Sequence, residues 1–544
     1  MNSFDISQAA ILVRHRVCSS SNSHRRLLPQ AQARLWVWTL ACLSQLLGHS
    51  TFASPPEWET AITGIQEQRL REHTNVLASD TYEGREAGSR GGKAAGIYLV
   101  SELEKLKVSP VSKTDYYQEF GDNYRNILGL VRGRDSELRD ECILVGAHYD
   151  HVGYGNSNNS YGPLGYIHNG ADDNASGVAV VLELARALAH MKTRPRRTIV
   201  FAFWDAEERG LVGSTHWVQN PSIPLSQLKL AVNLDMIGRM RNQSVAIYGV
   251  RTATGLRRLI SECNRSANLD LTFHWRIRRD SDHFPFFQAQ IPFVMPFTGK
   301  HKDYHRPSDD IDKLNLKGMR DVAQVMLRLI LRVAETDQSS EFRNRSRVES
   351  EGNPQSMFAA IPAGQPRLGI RWKRGDTAAD GIAVTGITPE SAADRAGLRV
   401  GDRILHWNSY PTVGNFDFRS LVLATKTSGT AMVLRGDAQQ PMPVRVELDG
   451  QPQRIGISWR EDPADPSVVV LTQVVPGSPA AVAGLRVRDR IHSVDGISLA
   501  NSKGFLSRVS RPKQMFEVES ERSGRLQSHR IQLVPSENSP RKRN

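Results

Sequence analysis

The sequence predicts an α/β domain with a mostly parallel mixed sheet flanked by helices, followed by two small β-rich domains. Over residues 55–340, short apolar runs typical of strands alternate with amphipathic stretches typical of helices. Beyond residue 366, one sequence pattern occurs twice with a constant offset. Such internal similarity indicates a repeated module.

Four apolar runs in the first region predict buried strands. They are CILVGA at 142–147, TIVFAFW at 198–204, LAVNLDMI at 230–237 and FVMPF at 293–297. Amphipathic patterns predict helices over 177–191 and 316–335. Ligands of such α/β sheets gather at the carboxyl ends of the strands, so the residues that follow these runs are the candidates for function.

The C-terminal repeat follows a polar stretch without periodicity at 341–366, which predicts a linker. LGIRW at 368–372 matches IGISW at 455–459, and SAADRAGLRVGDRI at 391–404 matches SPAAVAGLRVRDRI at 478–491. Residue 455 lies 87 residues after 368, as 478 does after 391. We therefore expect a first domain at 54–340, repeat domains at 367–450 and 451–534, and a basic tail at 535–544.

The N-terminal segment 1–53 predicts export. Residues 35–48 form one apolar run of signal-peptide length, preceded by arginines and too short for a transmembrane helix. Thr51-Phe52-Ala53 fits a small-x-small cleavage site, which would place the mature start near Ser54. A lipoprotein at Cys42 is the weaker alternative, because Thr39-Leu40-Ala41 is a poor lipobox. We expect a secreted or periplasmic protein with no integral membrane segment in the mature chain.

Composition excludes several classes of protein. With 544 residues the chain is long enough for three to four domains, and 39% hydrophobic residues exclude collagen and a multi-pass membrane protein. The net charge of +13 comes partly from the two ends. Because no zinc finger, RNP motif or basic stripe with aromatics occurs, nucleic acid is not expected as a partner. A bridge between Cys142 and Cys263 is left open.

Acids and histidines follow the predicted strands. The segments are HYDH at 148–151, DDNASG at 172–177, Glu207-Glu208, Asp235 and YHRPSDD at 304–310. Two Zn²⁺ ions can share one bridging carboxylate, and each takes further nitrogen or oxygen ligands. Two histidines and three carboxylates would fill that ligand set, and a further carboxylate could move a proton. Clustered carboxylates would repel one another without cations, which itself favours metal.

These segments resemble the ordered motif set of the M28 co-catalytic zinc peptidases, which include secreted aminopeptidases. The motifs are GAHYDH at 146–151, GADDNASG at 170–177, AEERGLVGS at 206–214, NLDMIG at 233–238 and YHRPSDD at 304–310. LASDTYEGREAGS at 77–89 also resembles the family, and the resemblance spans about residues 55–338. It implies the fold of the zinc exopeptidases.

The resemblance also implies a role for each site residue. His148 and Asp235 would hold one zinc, Glu208 and His305 would hold the other, and Asp172 would bridge them through a turn with a cis bond to Asp173. Glu207 would be the general base of peptide hydrolysis. Asp150 would orient His148, and Asp309 or Asp310 would orient His305. The Gly/Asn-rich loop 152–169 would line the mouth of the site.

Each C-terminal repeat resembles a PDZ domain of bacterial proteases. Leu368-Gly369-Ile370 and Ile455-Gly456-Ile457 are similar to the carboxylate-binding loop and the strand after it. The resemblance implies that an extended peptide adds to this strand and that its C-terminal carboxylate meets backbone N–H groups. A spacer module without ligand is the alternative.

The function expected from this set is a secreted dizinc aminopeptidase that cleaves N-terminal residues from peptides, with the PDZ pair binding substrate or partner. A carboxypeptidase or a glutaminyl cyclase of the same superfamily is an alternative, although a one-zinc cyclase does not need both His148 and Asp235. A non-catalytic binding protein is the alternative from another class, and the presence of Glu207 argues against it.

Overall fold

The computed structural model describes residues 55–534, apart from 122, 338, 340, 351, 363–364, 378 and 511–512. The predicted signal segment and the predicted basic tail lie outside the described residues. Within the described part of the chain, no helix is both long enough and apolar enough to cross a membrane.

The first domain is built on one nine-stranded sheet. Its strands are β1 (Ser109–Pro110), β2 (Tyr117–Phe120), β3 (Tyr124–Val131), β4 (Cys142–His148), β5 (Thr198–Trp204), β6 (Leu228–Asn233), β7 (Ser244–Tyr248), β8 (Asp270–Phe273) and β9 (Phe293–Phe297). The order is β1-β3-β5-β4-β6-β9-β7-β8, with β2 beside β3. The central strands β5, β4, β6 and β9 are parallel, and β3 and β7 pair with them antiparallel.

Helices cover both faces of this sheet. They are α1 (Pro56–Thr63), α2 (Glu67–Leu77), α3 (Arg90–Lys105), α4 (Gly177–Ala189), α5 (Val212–Gln219), α6 (Leu256–Cys263), α7 (His283–Gln288) and α8 (Leu316–Glu335). Side chains of β4 alternate between the faces: Ile143 and Val145 pack in the core that includes α4 and α8, while Leu144 packs with Trp217 and Phe286 of α5 and α7. Because both faces are covered, the central strands are apolar throughout.

The predicted strands and helices occur where the apolar patterns placed them. β4, β5 and β9 begin at the predicted residues, and α8 has the predicted bounds. The apolar run that predicts β6 continues beyond the strand, because it leaves the sheet after Asn233. Cys142 and Cys263 are both buried and free, so no bridge joins them.

The two repeats form two similar six-stranded sheets. The first contains β10 (Ile370–Arg374), β11 (Ile382–Ile387), β12 (Arg403–Trp407), β13 (Tyr410–Pro411), β14 (Ser428–Leu434) and β15 (Met442–Glu447). The second contains β16 (Ile457–Asp462), β17 (Asp465–Val474), β18 (Arg490–Val494), β19 (Ile497–Ser498), β20 (Met515–Arg522) and β21 (Arg525–Gln532). The remaining helices are α9 (Gly352–Met357), α10 (Ala392–Arg395), α11 (Phe418–Ala424), α12 (Pro479–Val482) and α13 (Ser502–Ser510).

The same tryptophan–phenylalanine contact joins the first strand and the long helix of each repeat. Trp372 of β10 meets Phe418 of α11 edge-on, with ring centroids 5.3 Å apart. Trp459 of β16 meets Phe505 of α13 edge-on at 4.9 Å. The two residues of each pair are separated by the same number of positions along the chain. The two repeats therefore share one packing arrangement.

The segment expected to be a linker packs against the first domain. Ala253 and Phe342 form a β-bridge, and the Arg343 amide donates to the Thr252 carbonyl at 2.7 Å. Phe358 packs edge-on against Trp275 of the first domain. Residues 342–350 and 352–358 are therefore part of the folded structure, although their polar composition predicted a linker.

Arg251 joins the first domain, this segment and the second repeat. Its guanidinium lies 3.6 Å from the centroid of the Trp275 ring and donates to Asp462 at 2.8 Å and to Glu349 at 2.9 Å. Burial would raise the pKa of Asp462, but the charges of Arg490 and Arg251 lower it to about 2. The second repeat is thus held on the first domain by buried charges that all have partners.

We expect an Arg251→Met variant to lose about 3–5 kcal/mol of unfolding free energy, because Asp462 and Glu349 lose a buried partner. Urea titration followed by tryptophan fluorescence measures this loss. Arg445→Met is the matched control: Arg445 and its partner Glu447 are 75% and 66% exposed, and such pairs contribute about 0–1 kcal/mol. Equal stability of the two variants would contradict the role given to Arg251.

Candidate metal and active site

The carboxyl ends of the central strands bring the predicted site together. His148 ends β4, Glu207 and Glu208 follow β5, and Asp235 follows β6. The Asp172-Asp173 turn precedes α4, and His305 lies in the loop after β9. Parallel strands present their carboxyl ends at one edge of the sheet, which is why residues distant in sequence meet here.

Two groups of possible metal donors lie in this site. His148, Glu207 and Asp235 form one group, and His151, Asp173, Glu208 and His305 form the other. Within each group the donor atoms lie within 4.8 Å of one another. Four of the five residues expected to bind metal are therefore together: His148, Glu208, Asp235 and His305.

Asp173 lies between the two groups. Its Oδ1 is 3.3 Å from His148 Nε2, and its Oδ2 is 3.1 Å from His305 Nε2. His148 Nε2 is also 3.6 Å from Asp235 Oδ1, and His305 Nε2 is 3.1 Å from Glu208 Oε2. One carboxylate that faces a histidine of each group is what a bridging ligand requires.

The assignment of the bridging position to Asp172 is wrong. The Asp172 carboxylate points away from the histidines of both groups and accepts hydrogen bonds from the Gly238 amide at 2.6 Å and from Ser176 Oγ at 3.2 Å. It also lies 3.1 Å from His301 Nε2. The cis peptide bond, expected between Asp172 and Asp173, joins Asp173 to Asn174.

The turn explains why adjacent aspartates have different surroundings. The Asp309 carboxylate accepts hydrogen bonds from the amides of both Asp172 and Asp173, at 2.9 and 3.1 Å. With the two amides held on one acceptor, the side chains leave the turn in different directions. Asp309 therefore positions the turn and does not orient His305, and Asp310 caps the short helix at Ile311 instead.

His305 is oriented by the loop 152–169. Its Nδ1 lies 2.7 Å from the Asn159 carbonyl oxygen, and the Tyr161 amide donates to the His305 carbonyl at 3.1 Å. With Nδ1 donating to a carbonyl, Nε2 presents its lone pair toward Asp173 and Glu208. The loop expected at the mouth of the site thus also positions a donor.

Asp150 supports the Glu207-Glu208 turn. Its carboxylate accepts from the amides of Glu207 at 3.0 Å and Glu208 at 3.3 Å. The His148 ring Nδ1 lies nearer to the Asp150 carbonyl oxygen, at 3.2 Å, than to the Asp150 carboxylate, at 3.8 Å. His148 is therefore held mainly through the backbone of Asp150.

Two further residues at the site were not predicted. His151 is buried, with Nδ1 2.9 Å from Glu208 Oε1 and its ring edge-on to His305. Ser281 donates from Oγ to Asp235 Oδ2 at 2.5 Å. The sequence signal for His151 was its position three residues after His148. For Ser281, the sequence offered no comparable signal.

The site concentrates buried negative charge. Burial raises the pKa of Glu207 well above its ordinary value, although the charge of His148 opposes this. Burial would also raise the pKa of Asp173, but the adjacent imidazoles of His148 and His305 hold it well below the ordinary range. Burial raises the pKa of Asp282 to about 7 despite the charge of His148. This arrangement favours a cation among the carboxylates.

The donors fit zinc. His305 Nε2 is buried and has no hydrogen bond of acceptable geometry, although it faces carboxylate oxygens of Asp173 and Glu208. A buried imidazole nitrogen beside two carboxylate oxygens offers donor atoms that a metal ion can take. Imidazole nitrogen and carboxylate oxygen are ligands that zinc takes.

Comparison with known proteins agrees with this chemistry. Residues 126–330 match the family model described as Peptidase family M28, and 359–434 and 470–505 match PDZ domain models. The chain is similar to Aminopeptidase YwaD of Bacillus subtilis, 29% identical over 37% of this chain and 43% of that protein. It is also similar to a probable zinc metalloprotease of Pyrenophora tritici-repentis, 30% identical over 43% of this chain and 63% of that protein. This chain therefore spans less than two thirds of each relative.

The solved structures to which the chain is similar include aminopeptidases. The LapA aminopeptidase of Legionella pneumophila is 23% identical, with a TM-score of 0.44 over 52% of this chain and 74% of that chain. BSAP, a zinc aminopeptidase from Bacillus subtilis, is 16% identical, with a TM-score of 0.40 over 52% of this chain and 98% of that chain.

Substitution of the two adjacent aspartates separates their roles. We expect Asp173→Asn to lose bound zinc, because the carboxylate that faces both groups becomes neutral. Asp172→Asn should retain zinc, since an amide oxygen can still accept from Gly238. Zinc per folded chain, measured by plasma mass spectrometry after dialysis, checks this, with circular dichroism as the control for folding. Loss of zinc only in Asp172→Asn would contradict the assignment.

Proposed function

Because residues 126–330 match the model of peptidase family M28, we propose that this chain is an exported zinc aminopeptidase. The cleaved bond would be the first peptide bond of its substrate, as the names of the relatives suggest. The apolar run at 35–48 supports export. The two ions would be held by His148 with Asp235 and by Glu208 with His305, with Asp173 between them.

The free carboxylate of Glu207 carries the proposal. Glu207 lines one cavity with His148, Asp173 and Asp235. Its amide is held by Asp150, yet among the described residues no donor hydrogen-bonds to its carboxylate. The backbone of Glu207 is thus held in place while its carboxylate stays available to accept a proton, as a general base requires.

The chemistry divides between the zinc and the chain. Zinc in this site would polarise the scissile carbonyl and lower the pKa of water. Glu207 would take the proton from the attacking water and pass it to the leaving amine. Ser281 and the Asn159 carbonyl hold Asp235 and His305 in place during turnover.

A Glu207→Gln variant should lose turnover by about 10²–10⁴-fold, because the amide cannot accept the proton. Hydrolysis of amino-acid p-nitroanilides measures this, and zinc content should be unchanged. Glu119→Gln is the matched control, since Glu119 is exposed on β2 and does not line the cavity. Chelator should abolish wild-type activity and Zn²⁺ should restore it.

The alternatives give different products from the same protein. A carboxypeptidase would cleave the last residue of an N-acetylated peptide, and a glutaminyl cyclase would release ammonia from an N-terminal glutamine. A binding protein would bind peptide without turnover. Activity of Glu207→Gln equal to wild type would contradict the general-base role in every enzymatic alternative.

We also propose that the first PDZ domain binds the C-terminus of a peptide. A groove of about 290 Å³ is lined by Leu368, Gly369, Ile370, Trp372, Phe418 and Val422, among others. Among the strands that the structure describes, β10 pairs only with β11, so its other edge could take an added strand. Gly369 has φ 81°, and a Cβ there would lie 2.2 Å from Ser391 Cβ, so the loop requires glycine.

We expect Leu423→Glu to weaken binding of peptides with an apolar C-terminus by about tenfold or more, because Leu423 lines the groove of the first PDZ domain. Fluorescence polarisation with labelled peptides measures affinity. Met442→Glu, an exposed change outside the groove, is the matched control. C-terminal amidation should weaken binding by wild type. Equal binding of free and amidated peptides would contradict carboxylate capture.

A further inference from the structure

The cavity in front of the metal donors has a charged rim. Its deep part is formed by His148, Asp173, Glu207 and Asp235, and its apolar wall by Met236, Met295 and Phe297. Arg278, Asp280, Lys300 and Tyr304 complete the lining. A substrate that reaches the donors must therefore pass three charged side chains that the proposed chemistry does not use.

Two of these charges neutralise each other. Arg278 Nε lies 3.0 Å from both carboxylate oxygens of Asp280. The guanidinium also lies 5.0 Å from the centroid of the Phe297 ring, so it is held on two sides. The Arg278–Asp280 pair therefore contributes shape and polarity to the rim, but little net charge.

Lys300 is the charge left without an acidic partner. Its side chain is exposed, and its Nζ lies 4.0 Å from the centroid of the Tyr304 ring. Among the residues that the structure describes, no carboxylate lies within 4.0 Å of this ammonium. A cation on an aromatic face at a cavity mouth can still accept an anion from solution.

Tyr304 connects Lys300 with the reacting centre. The Tyr304 ring stacks on the His305 ring, with centroids 3.9 Å apart. His305 in turn faces Asp173 and Glu208. The Tyr304 ring thus contacts both the Lys300 ammonium and the His305 ring. This places the ammonium close enough to contact a group beside the scissile bond.

The charge of Lys300 matters most for substrate binding when the site holds zinc. Two zinc ions in this site would offset the negative charge of the carboxylates that hold them. Arg278 and Asp280 pair with each other at the rim, so among the described residues Lys300 is the lining cation without an acidic partner. The field at the mouth would then attract anions.

We propose that Lys300 is a specificity residue that binds a carboxylate of the substrate beside the scissile bond. That carboxylate is either an acidic side chain next to the bond or the α-carboxylate of a dipeptide. The inference rests on the proposed peptidase function of the same site and names the substrate class: short or acidic peptides with a carboxylate near the cleaved bond.

Matched substrate pairs test this inference. Glu- and Gln-p-nitroanilide differ in a side-chain carboxylate, while Leu-Gly and Leu-Gly amide differ in the α-carboxylate. For at least one pair, wild type should prefer the carboxylate form by roughly ten- to a hundredfold in kcat/KM, as for one hydrogen bond to a charged group. In Lys300→Met this ratio should fall to about one, and Lys300→Arg should retain it.

The matched control is Lys302→Met. Lys302 is also exposed and lies two residues away, but it does not line the cavity. The change in net charge is the same, so a general electrostatic effect would appear in both variants. We expect the substrate ratios of Lys302→Met to equal those of wild type.

The outcome also identifies the source of the carboxylate. A ratio that changes only for the anilide pair assigns the side chain, and one that changes only for the dipeptide pair assigns the α-carboxylate. Ratios equal in wild type and Lys300→Met for both pairs overturn the inference.

Binding without turnover keeps the inference separate from the proposed function. Calorimetric titration of zinc-loaded Glu207→Gln with Glu-Gly-Gly and Gln-Gly-Gly amides tests the side chain, and Leu-Gly with its amide tests the α-carboxylate. A preference for the carboxylate form that Lys300→Met abolishes supports the inference even if wild type hydrolyses none of these peptides. That absence of hydrolysis would contradict the proposed function alone.

Discussion

The burial of many carboxylates at one sheet edge is the constraint on which the site depends. Some of them are stabilised by the backbone: amides donate to Asp150, Asp172 and Asp309. Asp173 and Glu208 instead face histidine nitrogens. Burial nevertheless raises the pKa of each carboxyl in the first set, to about 7 for Asp309. The histidines lower the pKa of Asp173 and Glu208, so this second set stays ionised where a cation would bind. This division separates the residues that shape the site from those that would hold zinc.

Sequence periodicity was sufficient for the main fold because both sheet faces are covered. Buried parallel strands are continuous apolar runs, and such runs ended where His148, Glu207 and Asp235 begin the site. The choice between Asp172 and Asp173 could not be made the same way. It depends on the direction in which each side chain leaves one turn, and that turn is fixed by Asp309, a residue 136 positions further along.

Contacts between distant segments also explain the other differences from prediction. The polar composition around 342–358 suggested a free connection, yet polar side chains there meet charged partners that sequence does not reveal. Glu349, for example, pairs with Arg251, 98 residues away. His305 likewise takes its orientation from a backbone carbonyl at Asn159, and no residue type encodes that contact. Local pattern therefore located the donors but not the groups that orient them.

The two proposed binding sites differ in which end of a peptide they accept. A PDZ groove captures a C-terminus, whereas an aminopeptidase consumes an N-terminus. The second PDZ domain is fixed to the peptidase domain through Arg251 and Asp462, and its Val475 and Pro476 line the groove of the first. The two proposed sites therefore bind opposite ends of a chain. The groove would hold the C-terminus of a substrate or partner, and the cavity beside Lys300 would receive the N-terminus of a substrate.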